Sequence, residues 1–428
     1  MAGSLAAGLL AALALVAAPF VPATEDGVTG AILVGFGLGW ALLAILSRYF
    51  TAESQGWAWV PALTLGLSGL VLLVTGEAIR WVLNWVWPPA LLAVAVWTAV
   101  GIRRHLHSRS RWPLYPVVAI LVLASVGGAV ETVGEALDAR AYPMPGRLID
   151  VGGHSLHLSC TGTGSPTVVL EPGAGEMSSN MGWIAPAVAA KTRVCVYDRA
   201  GRGWSEPTTT PQDGAQLATD LHTLLHQAHV PGPYVLAGHS FGGLYVLGYA
   251  ARYPEDVAGL VLVDSTAPKA PDAGGTATDA TAAGLVSKVT AILSISARFG
   301  LGRLYGLAAF DSLPLRSRDE VRASLATATS LRSSVDEFVQ ASTAMVLAGS
   351  LENLGDKPLV VLTAGVGGDA AHLASQRQLA RLSTNGEHLT VDGAVHEALV
   401  ADQGPAAVTT QSILDVVTAV RTGKLLVR

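Results

Sequence analysis

The segment Tyr234-Val-Leu-Ala-Gly-His-Ser-Phe-Gly-Gly243 constrains the fold of this chain more than any other. Tyr234 to Ala237 is a short apolar run and reads as a buried strand. It leads into Gly238-His239-Ser240-Phe241-Gly242, a G-x-S-x-G sequence. Leu244, Tyr245, Leu247 and Ala250 then follow at the spacing of one helix face. A serine between a strand and a helix sits on a turn so tight that its backbone is strained and its Oγ projects above the sheet. Gly238 and Gly242 are expected where a side chain would collide with the neighbouring strand or helix. The Phe241 N–H, at a helix N-terminus, is then a candidate oxyanion donor, and Ser240 a candidate nucleophile.

Residues 145–428 extend this pattern. Gly146 to Cys160 reads as a first hairpin that turns at Gly152-Gly153. Strands are expected at Thr167 to Leu170, Arg193 to Tyr197, Leu260 to Asp264 and Pro358 to Thr363. The run Asp198-Arg-Ala-Gly-Arg-Gly-Trp-Ser205 fits a D-x-x-G-x-G-x-S turn. With the elbow, these motifs resemble the serine α/β-hydrolases of the esterase and lipase type. The resemblance implies an α/β fold: a mostly parallel eight-stranded sheet with helices on both faces and a helical cap. Where that family usually carries His-Gly after the third strand, this chain has Pro172-Gly173. The second oxyanion N–H then maps onto Ala174, and a backbone donor does not need the missing imidazole.

The triad order in this fold is serine, acid, histidine. His396, after a short strand ending in Gly393 and before an amphipathic terminal helix, is the expected base among 11 histidines. The expected acid is Asp369, the one carboxylate in the loop Ala364-Gly-Val-Gly-Gly-Asp369. Asp264, at the end of the preceding strand, is the alternative, because some relatives place the acid there. Either carboxylate would hold the imidazole tautomer and stabilise its cation. Between Asp264 and Pro358 the strand–helix alternation breaks. Thr266 to Thr281 reads as a flexible hinge, and helical periodicity follows over about 283–304 and 319–347, where the family inserts its cap.

The N-terminal part has a different composition. The whole chain is 50% hydrophobic and 14% charged, yet residues 1–102 carry only Glu25, Asp26, Arg48, Glu53, Glu77 and Arg80. Crossing a bilayer takes about 20 apolar residues. Five such runs are expected, at about 4–22, 28–47, 58–76, 81–101 and 115–134. Eight of the ten tryptophans precede residue 113, several near the ends of these runs, where an indole favours the interface. Their interiors hold almost no charge, which favours an anchor or lipid-access role over transport. Arg48 and the cluster Arg103 to Arg111 put the N-terminus inside and the C-terminal part outside. The expected division is 1–140 transmembrane, 141–268 and 356–428 hydrolase core, and 269–355 cap.

A formal charge of −5 gives no footprint for nucleic acid. No phosphate-binding glycine loop or metal-ligand spacing stands out, so neither cofactor nor metal is expected. Two cysteines, Cys160 and Cys195, fall in the hydrolase part. In the fold that the resemblance implies, their strands are neighbours, so a disulfide is expected between them in an extracytoplasmic domain. The activity implied is cleavage of an ester or lipid-like substrate through an acyl-enzyme, with the bilayer as the other partner. The alternatives are a proline-iminopeptidase-like enzyme, whose cap would offer Glu320, Asp336 or Glu337 to an amine, and a ligand-binding sensor without catalysis.

Overall fold

The computed structural model describes residues 2–51, 53–106, 109–269 and 280–426. In chain order its helices are α1 (Ala2–Ala17), α2 (Glu25–Phe50), α3 (Trp59–Thr75), α4 (Arg80–His105), α5 (Tyr115–Ala141), α6 (Ile184–Ala189), α7 (Gly214–Gln227) and α8 (Phe241–Arg252). They continue with α9 (Ala280–Ala297), α10 (Leu301–Gly306), α11 (Leu315–Ala326), α12 (Ala328–Val339), α13 (Ala341–Gly349), α14 (Ala370–Ala380), α15 (Ala398–Ala401) and α16 (Gln403–Thr422). The strands are β1 (Arg147–Asp150), β2 (Ser155–Thr161), β3 (Thr167–Glu171), β4 (Val194–Tyr197), β5 (Tyr234–His239), β6 (Val257–Val263), β7 (Leu359–Ala364) and β8 (Gly386–Val391). Two compact units result. One comprises Met1–Arg140, Thr278–Tyr305 and Ala326–Ala328; the other comprises Ala141–Ala277, Gly306–Leu325 and Thr329–Arg428.

The first unit is all helical. Among the described residues, four segments are long and apolar enough to cross a membrane: Glu25–Phe50, Gly56–Thr75, Arg80–His105 and Arg111–Ala141. The sequence reading expected five. The first, α1, is a 16-residue helix. At about 1.5 Å per residue it falls short of a hydrocarbon core of about 30 Å. It packs instead on α2 through small residues: a Cβ on Gly39 would lie 2.8 Å from the Gly8 Cα. Charge is sparse in this unit but concentrated. Arg80 pairs with Glu25 at 3.0 Å and with Asp26, while Arg298 reaches Glu25 at 2.7 Å. Arg303 pairs with Glu131 at 2.9 Å and Asp138 at 2.8 Å. Buried charges persist only when matched in this way.

These pairs correct the expected cap. The segment 269–355 is not one piece. Arg298 and Arg303 tie the α9–α10 stretch to α2 and α5, so it belongs to the helical unit. Gly127 and Gly134 of α5 make the approach close enough, since a Cβ at either would strike Phe299 or Arg303. Among the described residues, Lys269, 306–325 and 329–355 stay with the sheet. Most of the expected hinge, 270–279, lies outside the described residues.

The second unit is built on one eight-stranded sheet in the order β1-β2-β4-β3-β5-β6-β7-β8. β1 and β2 form an antiparallel hairpin, β2 pairs antiparallel with β4, and the rest are parallel. Side chains alternate across the central strands. Val169, Leu236, Leu260, Leu262 and Val361 pack with Leu221 and Leu224 of α7 and Leu244 and Leu247 of α8. Val168, Leu170, Val235, Val261 and Val360 pack on the other face with Ile184 of α6 and Ile413, Val416 and Val417 of α16. With both faces covered, β3, β5 and β7 are buried throughout, which is why they read as continuous apolar runs.

Cys160 of β2 lies opposite Cys195 of β4 in the antiparallel register, and their sulfurs are bonded. The bond closes a loop of 35 residues. A loop of this length stabilises by about 3–4 kcal/mol in the chain-entropy model. Thiol counting on unreduced, denatured protein is expected to find no free thiol, and reduction should lower the melting temperature by on the order of 10 °C. Two free thiols before reduction would reject the bond.

Candidate active site

The carboxyl ends of the parallel strands bring the candidate residues together. β5 ends at His239 and α8 begins at Phe241, so Ser240 alone makes the turn. Its backbone adopts φ 55° and ψ −119°, a strained conformation for a residue with a side chain. The two glycines make this turn possible. A Cβ on Gly238 would strike the Gly242 carbonyl, and one on Gly242 would strike the Glu171 carbonyl. Among the described residues the Ser240 hydroxyl has no hydrogen-bond partner; such contacts often tighten only around substrate.

His396 lies on the loop between β8 and α15. Its Nδ1 is 2.6 Å from Asp264 Oδ2, which leaves Nε2 free to work toward a nucleophile. Its ring lies 4.6 Å, centroid to centroid, from that of His239, the residue before Ser240. Asp264, immediately after β6, also sits at positive φ, 45°. Burial raises its pKa, but hydrogen bonds from His396, His372 and the Ala364 N–H outweigh that and hold it at about 2.

The structure therefore separates the two candidate acids in a way that corrects the expected order. Asp369 is the N-cap of α14: its Oδ1 accepts the His372 N–H at 2.7 Å. It is a helix cap and not the partner of His396. Asp264, the alternative, is that partner. Sequence reasoning also missed His372, whose Nε2 lies 2.8 Å from Asp264 Oδ1, so that two imidazoles bracket one carboxylate. Its position three residues past the cap was visible, but nothing local pointed it at Asp264.

The loop after β3 is held from both sides. The Gly173 N–H donates to Glu176 at 2.6 Å, and the Gly175 N–H donates to Glu337 of α12 at 2.7 Å. Between them, the Ala174 N–H has no partner among the described residues. The Phe241 N–H is the first of its helix and has no intrahelical acceptor. The sequence reading expects these two N–H groups to be the oxyanion donors, and both are without an acceptor among the described residues. Arg199, from the D-x-x-G-x-G-x-S turn, is buried beneath the loop. It donates to Glu337 at 2.7 Å, to Glu171 at 2.5 Å, and to the carbonyls of Pro172 and Gly173 at 2.8 and 2.6 Å. Burial disfavours its charge, but Glu337 and Glu171 more than compensate and hold the guanidinium protonated. Asp198 is structural: it accepts from the Ser178 N–H at 2.6 Å and contacts His157 Nδ1 at 2.8 Å. Glu176 also faces His239 Nδ1 at 3.2 Å. Burial works against a charge on His239, but Glu176 raises its pKa above the usual value. Phe338 of α12 meets Phe241 edge-on at 5.4 Å, which adds an apolar wall beside the elbow.

A mostly parallel sheet that presents a strained serine on the strand–helix turn, with an aspartate–histidine pair at the ends of later strands, defines the class of the α/β hydrolases. Residues 166–311 match the family described as "alpha/beta hydrolase fold", and the second unit carries that fold. A solved structure named a "putative lipase (lip1)", from Acinetobacter baumannii AYE, is 18% identical with a TM-score of 0.50 and covers 69% of this chain and 97% of its own. That likeness shows the fold alone. Among curated relatives, an uncharacterized protein of Schizosaccharomyces pombe is 32% identical over 155 residues, 29% of this chain and 29% of its own length. The "Probable transporter efuK" of Hormonema carpetanum is 31% identical over 126 residues, 28% of this chain and 18% of its own. The chain thus spans less than a third of either curated relative. Fold and family support a hydrolase.

Proposed function

We propose that this protein is a membrane-anchored serine hydrolase that cleaves a carboxylic ester through an acyl-enzyme. The observation that carries the reading is the Asp264–His396 pair at 2.6 Å beside a serine held at φ 55°. Ser240 Oγ attacks the ester carbonyl while His396 Nε2 takes its proton. Ionised Asp264 can only accept, so it keeps the proton on Nδ1 and stabilises the imidazolium. The Phe241 and Ala174 N–H groups receive the oxyanion. The tetrahedral intermediate collapses, His396 returns the proton to the leaving alcohol, and water releases the acyl group by the same steps.

Phe241 and Phe338 favour an apolar acyl or alcohol portion. The four apolar helices favour a bilayer anchor, and the Cys160–Cys195 bond favours an extracytoplasmic hydrolase. The iminopeptidase alternative is less favoured, because two of the three carboxylates it could use, Glu337 and Glu320, are engaged, while Asp336 is half exposed and only loosely paired. Glu337 holds Arg199 and the Gly175 N–H, Glu320 holds Ser179 and Arg316, and Asp336 faces Arg332 at 3.8 Å.

A fluorophosphonate probe tests the reading, because it captures an activated serine. The full-length chain is expected to be labelled at one site, and Ser240→Ala to remove the label. A chain that is folded but unlabelled, and that turns over no ester, would favour the sensor reading instead.

A further inference from the structure

A second cluster lies away from the elbow. His222 and His226 are one turn apart on α7, so their side chains share a face. Asp256 comes to them from the short turn Pro254–Asp256 that precedes β6. His222 Nε2 lies 3.5 Å and His226 Nε2 3.6 Å from the same oxygen, Asp256 Oδ2. Both distances exceed an ordinary hydrogen bond of about 2.7–3.2 Å, yet both nitrogens address one atom. The three candidate ligand atoms all lie within 4.8 Å of one another. A tetrahedral zinc ion with bonds of about 2.0–2.1 Å sets its neighbouring ligand atoms about 3.3–3.4 Å apart. The two nitrogen–oxygen separations, 3.5 and 3.6 Å, are close to the edges of that tetrahedron.

The surroundings resemble an outer coordination shell. The Tyr249 hydroxyl donates to Asp256 Oδ2 at 3.0 Å, which fixes the carboxylate. The Tyr253 ring stacks on His222 at 4.0 Å with 17° between planes and holds that imidazole in place. The His226 side chain is 56% exposed, so a fourth position opens to water.

We propose that His222, His226 and Asp256 form a site for a divalent transition-metal ion of the zinc class. Two imidazoles and one carboxylate select such an ion over magnesium or calcium, which take oxygen ligands. The site is structural rather than catalytic. Asp256 precedes the seven residues of β6 and Asp264 follows them, which separates the two by roughly 25 Å. A bound ion would clip α7 to the α8–β6 connection and stabilise the folded hydrolase unit by mass action.

The test uses full-length protein in detergent micelles after chelator treatment. Calorimetric titration with zinc chloride is expected to show one ion bound to the wild type. His226→Ala, chosen because that side chain is largely exposed, should weaken binding by more than the roughly 10–100-fold that loss of an outer-shell partner costs. His222→Ala should do the same. Zinc should raise the melting temperature of the wild type and not of His226→Ala, while magnesium should raise neither. Ester turnover of His226→Ala without zinc should match the wild type. Absence of zinc binding, or equal affinity in wild type and His226→Ala, would overturn the proposal; the second outcome would move the ion to other histidines. The binding and melting outcomes do not depend on Ser240 being the nucleophile.

Discussion

Replacing Ser240 with alanine is expected to leave the protein folded and to lower ester turnover by about 10⁴-fold or more. His396→Ala should cost about as much, because nucleophile and base act as one unit, and the double variant should be little worse than either single one. The elbow explains why no neighbouring group can substitute. Ser240 alone occupies the turn at φ 55°, and the flanking Gly238 and Gly242 bring no side chain to the site. The measurement is kcat/KM on a chromogenic ester with protein in detergent, beside a melting curve that confirms folding. Substantial turnover by folded Ser240→Ala would remove the serine assignment and the acyl-enzyme with it.

Asp264→Asn should lose roughly 10⁴ in rate, since an amide facing His396 Nδ1 favours the wrong tautomer. Asp369→Asn should be nearly silent, because asparagine caps a helix about as well as aspartate does. The depressed pKa of Asp264 adds a pH dependence with a definite sign. A carboxyl held at about 2, below its usual 3.8, stabilises the fold fully above the usual value. That contribution is lost as pH falls from about 4 toward 2. Asp264 is therefore ionised throughout the neutral range, and the wild type should lose acid stability more steeply below pH 4 than Asp264→Asn does. A large rate loss at Asp369 with little effect at Asp264 would reverse the roles that the geometry favours.

Much of this molecule was legible as a string of residues because the relevant physics is local. The elbow needs a strand, two glycines around a serine and a helix, all within residues 234–250. The buried strands show as apolar runs because both faces of the parallel sheet are covered. The apolar character of the first 140 residues is likewise a property of composition. The neighbouring positions of Cys160 and Cys195 followed from the strand order that the family resemblance implied.

What the tertiary structure alone decided involves groups far apart in sequence. The choice between Asp264 and Asp369 depends on where the chain brings His396 after 132 further residues, and loop spacing does not encode that. Asp369 looked right because it follows the expected strand, but a carboxylate three residues before a free helix N–H is drawn to cap the helix. The division of the 269–355 segment depends on ion pairs such as Arg298 with Glu25, 273 residues apart. The span of α1 was misjudged because hydropathy continues past the point, at Ala17, where the helix ends. The grip of Glu337 and Arg199 on the loop that carries Ala174 joins three distant segments. The His222–His226 spacing was present in the sequence, but Asp256 joins it only when β6 is laid beside β5. Hydrophobic period and turn chemistry are written residue by residue; the pairing of charges and ligands is settled only when the folded sheet sets distances between them.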